Sequence, residues 1–221
     1  MGPFQPAEPT RLYLIRHGET AWNLEQRVQG QLDPPLNERG RQQSQAAADR
    51  LAQVKLDALY ASDLKRAAEG AELVAAPHRL RPILASELRE RHFGALQGYT
   101  LADAAQECGS WYDSWSRNRL NQAPPGGETH GEMTERVMEF IWGIIEERPG
   151  EAVAVVTHGG PIKALVCEML GISQPFWRRT RVENCSLTVV EGYVDDLTLI
   201  TFNETGHLRG LPPPTPDEAM G

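Results

Sequence analysis

The chain has 221 residues and a formal net charge of -8 at pH 7. Its length suits one domain with a sizeable core, and its 24% charged and 40% hydrophobic residues indicate neither a disordered nor a membrane-embedded chain. The negative charge repels polyanions, which argues against nucleic acid or an acidic membrane as a partner. Any anion that binds must therefore meet a local group of basic residues.

The longest apolar runs, such as residues 152–156, are far shorter than the ~20 residues that a membrane-spanning helix needs. Residues 1–10 lack the basic and apolar regions of a secretory signal, which favours a cytoplasmic location. Cys108, Cys167 and Cys185 are an odd number of cysteines without metal-ligand spacing. They predict reduced, buried thiols rather than a disulfide framework or a metal site.

The first predicted strand is the apolar run over residues 12–15, which stops abruptly at Arg16, His17 and Gly18. Ligands of α/β proteins bind at the carboxyl ends of strands. Arg16 offers a planar fork for phosphate or carboxylate oxygens, and Gly18 lets the backbone turn sharply. A lone histidine is more often a surface or core residue, so the interpretation of His17 depends on partners elsewhere in the chain.

Three elements follow a polar connection that contains Asn23 and Gln29: a helix entered through residues 36–40 and ending near 54, a strand over 56–61, and a helix over 64–75. Ser62 or Asp63 is the predicted N-cap of the last of these. Arg66 lies in its first turn, where a cation is unfavourable unless an anion binds there too. A solvated surface arginine is the equally weighted alternative.

The middle of the chain carries one extended segment and three predicted helices. The extended segment over residues 80–88 leads to Glu90, and helical patterns follow over 101–108 and around 111–115. Thr129 and Glu132 form a capping box that opens a helix ending near residue 147. The extended segment therefore delivers four charged residues, Glu87, Arg89, Glu90 and Arg91, and Glu90 is the candidate carboxylate of the site.

The strongest predicted strand covers residues 152–157 and ends at His158 and Gly159, before a helix with Pro161 near its start. Two strands over 186–190 and 197–202 follow, joined by a hairpin through 191–193. The alternation predicts an α/β fold, a three-layer doubly wound, mostly parallel sheet with helices on both faces. We expect a flexible tail over 1–10, one domain over 11–208 and a Pro-rich tail over 209–221.

The ordered set of these motifs resembles the histidine phosphatase superfamily, also called the phosphoglycerate mutase-like family. A lone Arg-His-Gly would be weak evidence, but the matching segments keep the family's order and span about residues 11–203. They are residues 14–20, 22–23, 29–30, 36–40, 62–67, 88–90 and 156–160.

The resemblance implies a role for each matching residue. His17 would attack phosphorus to give a phosphohistidine, and Glu90 would protonate the departing oxygen and then activate water. The phosphoryl oxygens would be held by Arg16, Arg66 and His158, assisted by Asn23 and the Gly159 N–H. Such cationic donors can stabilise phosphoryl transfer without a metal or a cofactor. Since Glu90 must deliver a proton, we expect a mildly acidic optimum.

Other assignments stay open at this stage. Gln29 either binds phosphate, as a matching glutamine does in phosphatase members, or is a loop residue exposed to solvent. Arg117 and Arg119 could meet a second acidic group on the substrate, or be exposed surface charges. Trp111, Trp115 and Trp142 could line a pocket, whereas His78, His92, His130 and His207 are interpreted as surface or structural residues.

The short span from Glu90 to His158 resembles that of the compact phosphatases. It lacks the insertion that supplies basic residues in mutases dependent on 2,3-bisphosphoglycerate, and retaining a bisphosphorylated intermediate needs such contacts. We therefore favour a metal-independent phosphomonoester phosphatase. Residues 92–98 are similar to a mutase segment, which keeps the mutase as the alternative, and a catalytically idle phospho-ligand-binding protein is a third.

The expected partner is a small phosphorylated metabolite, with candidates among phosphorylated sugars, phosphoglycerates and nucleotide-like phosphates. Specificity should reside in the variable stretch over residues 93–129. The oligomeric state is open, a homodimer included.

Overall fold

The computed structural model describes residues 8–172 and 179–211. Most of the two predicted tails, residues 1–7 and 212–221, lies outside the described residues, as do residues 173–178. Within the two described ranges, no helix combines the length and apolar character needed to cross a bilayer.

One six-stranded sheet organises the described chain, with the strand order β3-β2-β4-β1-β5-β6. Its strands are β1 Thr10–Arg16, β2 Ala58–Ser62, β3 Ile83–Ala85, β4 Ala152–Thr157, β5 Leu187–Gly192 and β6 Leu197–Glu204. The first four strands pair in parallel, whereas β5 is antiparallel to β1 and β6 is antiparallel to β5. The predicted α/β architecture with a mostly parallel sheet is therefore confirmed.

The helices cover both faces of the sheet. They are α1 Ala21–Leu24, α2 Glu38–Leu51, α3 Lys65–Ala75, α4 Leu101–Glu107, α5 Gly109–Arg117, α6 His130–Glu147 and α7 Gly159–Met169. Buried residues of α6 and α7 share one hydrophobic cluster, and buried residues of α2 and α3 share another. The sheet lies between these two helical layers.

Alternating side chains of the central strands divide between the two clusters. Leu14 of β1 and Val155 of β4 pack under α6 and α7, whereas Ile15 and Val156 pack under α2 and α3. Successive strand residues face opposite sides, so a strand buried on both faces appears in the sequence as a continuous apolar run. Burial of each such side chain contributes about 1.5–3 kcal/mol.

A third cluster lies beside the sheet and is built from α4 and α5. It contains Leu96, Ala104, Tyr112 and Trp115. Arg91 is 4% exposed and donates three hydrogen bonds to backbone oxygens of residues 119, 122 and 128, at 2.6, 3.0 and 2.8 Å. This single guanidinium therefore holds the segment after α5 against the rest of the domain, because each bond satisfies a carbonyl that no regular element pairs.

Two glycines let the loop after β1 lie directly on α2. A Cβ at Gly18 would overlap the Gly40 carbonyl, and a Cβ at Gly40 would overlap the Glu19 backbone. Asn37 caps α2 by accepting a bond from Gly40 N at 2.7 Å, and it also donates to the Glu19 side chain at 3.0 Å. These contacts fix the position of the loop that begins with His17.

Three local predictions need correction. Leu64, rather than Ser62 or Asp63, is the N-cap of α3, and the Lys65 N–H instead donates to Asp33 at 2.6 Å. The final hairpin turns after residue 192, with Tyr193 N donating to Asp196 O at 2.8 Å, because β5 continues through Gly192. Thr10, placed in the predicted N-terminal tail, is the first residue of β1 and bonds to Arg148 O at 2.8 Å.

Candidate active site

The carboxyl ends of the four parallel strands meet at one edge of the sheet. Arg16 ends β1 opposite Thr157, the last residue of β4, and Ser62 ends β2 opposite Ala85 of β3. A 3₁₀ turn over Ser86–Leu88 follows β3 and leads to Glu90. The structure thus brings polar and charged side chains from separate parts of the chain to the place where α/β folds bind ligands.

His17 immediately follows β1 and is 4% exposed. Its Nδ1 lies 2.7 Å from the Gly18 carbonyl oxygen. A carbonyl can only accept, so Nδ1 carries the proton and Nε2 presents its lone pair. Burial lowers the pKa of His17 well below the ordinary value, and the positive charges of Arg66 and Arg16 lower it further. The ring is therefore a neutral imidazole that carries a lone pair on Nε2.

His158 lies beside His17, with the two ring centroids 5.1 Å apart and the planes inclined at 60°. It is fully buried, and its Nε2 lies 2.8 Å from Ser62 Oγ. Burial lowers the pKa of His158 well below the ordinary value, and Arg66 and His17 lower it further. Its Nδ1 is buried without a hydrogen-bond partner among the described residues.

Arg16 and Arg66 bring two guanidinium groups to the same edge. Arg66 is fully buried and donates to the carbonyls of Leu32 at 2.8 Å and Gly30 at 2.6 Å, while Arg16 donates to Val182 O at 2.6 Å. Burial lowers the pKa of Arg66 to about 10 and also lowers that of Arg16. Both stay charged at neutral pH, and within the described chain the Nε of each lacks a hydrogen-bond partner.

Glu90 is held where it faces both arginines, whose pKa values its charge raises. Its carboxylate accepts bonds from Arg91 N at 2.9 Å and from Gly160 N at 3.0 Å, at the amino end of α7. A Cβ at Gly160 would overlap this carboxylate. Glycine at this position is therefore required for the carboxylate to lie against the helix terminus, where the helix dipole favours an anion.

Three weaker assignments also lie around this edge. Thr20 is the N-cap of α1, and Asn23 completes the capping box because its Oδ1 accepts from Thr20 N at 3.0 Å. Gly159 is the first residue of α7 and lies against Arg16. Gln29 is buried and precedes the carbonyls that hold Arg66, but its Oε1 has no partner within the described residues.

Sequence reasoning missed several residues of this site. Ser62 was interpreted as a helix cap, although it ends a parallel strand just as Arg16 does. Asn184 donates to His17 O at 3.0 Å. It precedes an antiparallel strand. The rule that ligands bind at the carboxyl ends of parallel strands therefore does not predict a site residue at this position. Gln31 donates to the Glu90 backbone carbonyl at 3.1 Å. It lies in a loop, and the local sequence pattern does not predict the path of that loop.

A cleft of about 860 Å³ opens beside Glu90. Its apolar lining includes Val28, Phe93 and Trp115, and its basic lining is Arg91, Arg117, Arg119, Lys163 and Arg179. The Arg119 guanidinium lies over the Trp115 ring, 5.1 Å from its centroid. Burial and the nearby charge of Arg16 lower the pKa of Lys163. Among the described lining residues Glu90 is the single carboxylate, so the cleft is strongly cationic in a chain of net charge -8.

Trp142 and His207 make structural contacts. Trp142 packs on the core that α6 and α7 share. His207 Nε2 donates a 2.9 Å bond to the Cys185 backbone oxygen, because a carbonyl can only accept. Within the described residues, no group of three or more His, Cys, Asp or Glu is arranged to hold a metal ion.

Comparison with known proteins places this geometry in a family. The family model for the histidine phosphatase superfamily (branch 1) matches residues 12–205. Among curated proteins, the chain is 41% identical to a phosphoglycerate mutase-like protein 4 of Arabidopsis thaliana, over 90% of this chain and 86% of that one. It is 34% identical to a metal-independent phosphoserine phosphatase of the same plant, over 93% and 86% of the two chains.

A similar solved structure is a mycobacterial glucosyl-3-phosphoglycerate phosphatase. Its identity to this chain is 31% and its TM-score is 0.79, with 89% of this chain and 100% of that one covered. The family match covers nearly the whole described domain, and the residues quoted from the sequence for the resemblance lie within it. The chain therefore belongs to the histidine phosphatase superfamily.

Proposed function

We propose that the protein is a metal-independent phosphomonoester phosphatase that works through a phosphohistidine on His17. The observation that carries the proposal is the bond from His17 Nδ1 to the Gly18 carbonyl. It leaves the lone pair on Nε2 of a buried imidazole that burial and the nearby charges of Arg66 and Arg16 keep neutral. A neutral imidazole needs no separate base to become a nucleophile, unlike a serine hydroxyl.

The surrounding cations stabilise the transferring phosphoryl group. Within residues 8–172 and 179–211, the Nε atoms of Arg16 and Arg66 have no hydrogen-bond partner, and each guanidinium is anchored by backbone carbonyls rather than by a carboxylate. Their charges are therefore not neutralised by a directly bonded acid. His158, with Asn23 and the Gly159 N–H, completes the set of donors around the phosphoryl oxygens. Donors fixed in advance in a dry site are effective because they need no reorganisation as charge develops.

Glu90 is the general acid and then the general base. In the first step the His17 Nε2–P bond forms, the P–O bond to the ester oxygen breaks, and Glu90 gives its proton to that oxygen. In the second step Glu90 takes a proton from water, the water oxygen bonds to phosphorus and the N–P bond breaks. Inorganic phosphate leaves and Glu90 is again protonated, so one water is consumed per ester.

The cationic cleft favours a small phosphomonoester that carries a second acidic group. Arg91 is committed to three backbone carbonyls, so Arg117, Arg119 and Lys163 are the basic residues we assign to that group. Stacking on Trp115 holds Arg119 in one orientation, which reduces the entropy lost on binding. The phosphoserine and glucosyl-3-phosphoglycerate named for two relatives carry a carboxylate of this kind.

Hydrolysis and isomerisation are separated by one assay. We expect phosphate release from p-nitrophenyl phosphate and from 3-phosphoglycerate, unaffected by EDTA or by added 2,3-bisphosphoglycerate. The alternative, a 2,3-bisphosphoglycerate-dependent mutase, is kept because the relative with 41% identity is named mutase-like. Rapid bisphosphoglycerate-dependent isomerisation with negligible phosphate release would overturn the phosphatase proposal.

Substrate selection is tested with a matched pair of esters. 3-Phosphoglycerate and glycerol 3-phosphate differ by a carboxylate in place of a hydroxymethyl group. We expect kcat/KM to favour 3-phosphoglycerate by about tenfold or more, since bonds to a charged group are worth about 1.5–3 kcal/mol. Arg119→Gln and Lys163→Met should each reduce this ratio, mainly by lowering kcat/KM for 3-phosphoglycerate.

Arg50→Gln is the matched control for the specificity test. Arg50 lies on α2 and pairs with Glu204 at 3.5 Å on an exposed surface. Its replacement should leave the ratio between the two esters unchanged. An equal fall for both esters in Arg119→Gln would assign Arg119 to folding of the cleft rather than to recognition of a second acidic group.

A further inference from the structure

Ser62 lies at the carboxyl end of β2 and is the neighbour of His158. It is fully buried, and its Oγ lies 2.8 Å from His158 Nε2. The Leu64 N–H also points at this oxygen, at 3.4 Å. The hydroxyl oxygen therefore accepts a hydrogen bond from a backbone N–H, and the hydroxyl hydrogen needs an acceptor of its own.

The hydrogen of Ser62 decides which nitrogen of His158 is protonated. Among the described residues, His158 Nε2 is the one acceptor found within hydrogen-bond distance of Ser62 Oγ. A buried hydroxyl without an acceptor is costly, so Ser62 donates to Nε2. The lowered pKa of His158 leaves the ring with a single proton, which must then be on Nδ1.

The proton on Nδ1 suits the place of His158 in the site. This nitrogen is buried, lacks a partner in the described chain, and belongs to a ring packed against His17 and close to the charges of Arg66 and Arg16. A phosphoryl oxygen needs a donor there. In the opposite tautomer Nδ1 would present a lone pair, which repels an anion.

We infer that Ser62 is a positioning residue that fixes His158 as the Nδ1–H tautomer and thereby aims an N–H at the phosphoryl group. The inference rests on the proposed function, because it assigns His158 to the transferring phosphoryl. Ser62 itself touches no reacting atom. It acts through the ring, in the way that hydrogen bonds from surrounding residues set the tautomer of histidines in other sites.

Long-range ¹H–¹⁵N NMR of histidine-labelled protein at pH 7 tests the tautomer directly. In the wild type we expect His158 Nδ1 to have the shift of a protonated nitrogen and Nε2 that of a hydrogen-bonded lone pair. In Ser62→Ala the two shifts should move towards a mixture of tautomers. A wild-type His158 protonated on Nε2 would overturn the inference, and this result needs neither a variant nor activity.

Kinetics then test whether the tautomer matters. Ser62→Ala should lower kcat/KM by about tenfold to a hundredfold, the range found when a partner that orients a histidine is removed. Ser62→Thr keeps the hydroxyl and should recover most of the loss. The exposed Ser86, at the start of the turn after β3, supplies the control, because Ser86→Ala should leave kcat/KM unchanged.

A double-mutant cycle separates action through His158 from a general loss of structure. In a His158→Ala background, Ser62→Ala should change kcat/KM by less than about twofold, because the ring on which it acts is gone. Independent, multiplicative losses would contradict a positioning role. Full activity in His17→Ala would remove the proposed function while leaving the NMR result for Ser62 intact, so the two failures are distinguishable.

Discussion

His17→Ala should lower kcat for phosphate release by about 10⁴-fold or more, since removal of a nucleophile leaves only binding and charge stabilisation. The neutral imidazole at this position supplies the Nε2 lone pair that we propose attacks phosphorus. Rapid mixing with ³²P-labelled substrate, followed by alkaline denaturation, should trap label on the wild-type protein and none on the variant. Alkaline conditions are needed because phosphohistidine is acid-labile.

His78→Ala is the matched control for the loss of His17. His78 ends the 3₁₀ turn over Ala76–His78 that follows α3, whereas Arg66 of the site lies in the first turn of α3. Its replacement should leave both turnover and label trapping intact. If His17→Ala still trapped label at the wild-type level, the nucleophile would have to be another residue.

The lowered pKa of His17 has a consequence for pH dependence. A nucleophilic imidazole must be neutral, and burial with two nearby guanidinium groups keeps the ring neutral below its ordinary pKa of 6.5. His17 therefore causes no loss of phosphoenzyme formation as the pH falls through 6.5. The loss from this group comes only at the lowered value, which allows the mildly acidic optimum expected for phosphatase turnover.

The parallel strands and two of their terminal residues could be predicted because their signals are local. Strand β4 covers the predicted residues 152–157, since it contains five consecutive small or branched apolar residues, of which residues 153–156 are buried on the two faces of the sheet. Polar residues begin at the end of β4 with Thr157 and His158, as they do at the end of β1 with Arg16 and His17. The parallel register that joins these two ends then follows from the architecture.

Contacts between distant segments account for what the sequence did not predict. The N-cap of α3 is Leu64 instead of the predicted Ser62 or Asp63, and Asp33, from another loop, accepts the hydrogen bond from the Lys65 N–H. Asn184, which precedes the neighbouring strand β5, donates a hydrogen bond to His17 O. Arg91 donates a hydrogen bond to the backbone of the segment after α5. Such bonds depend on the completed fold, so neither periodicity nor spacing along the chain reveals them.

The cleft illustrates how one residue type can be assigned two roles before the fold is known. Arg91 and Arg119 are both basic residues of the cleft, but the structure buries Arg91 on backbone carbonyls and stacks Arg119 on Trp115. Residue types alone cannot separate these arginines, since the difference lies in their partners. Only the second arginine is left for a substrate.

Glu90→Gln should separate the two chemical steps. For 3-phosphoglycerate, kcat should fall by about 10²–10⁴-fold, because the alkoxide leaving group needs a proton. For 2,4-dinitrophenyl phosphate the leaving phenolate needs none, so a burst of phenolate should remain close to the wild-type rate. Steady turnover should then be slow and phosphohistidine should accumulate, since water loses its base in the second step.

The comparison of two leaving groups also removes a structural ambiguity. Both carboxylate oxygens of Glu90 accept a backbone N–H, and a glutamine amide can accept at one of those positions only. If Glu90→Gln loses activity because the side chain is misplaced, the burst with the aryl ester should fall as much as turnover of 3-phosphoglycerate. If it loses activity only because the acidic proton is absent, the burst should be unaffected. Glu87→Gln, an exposed change in the turn before Glu90, is the control and should leave both rates unchanged. Equal losses for both esters, or a pH profile of Glu90→Gln that matches the wild type, would remove Glu90 from the acid role.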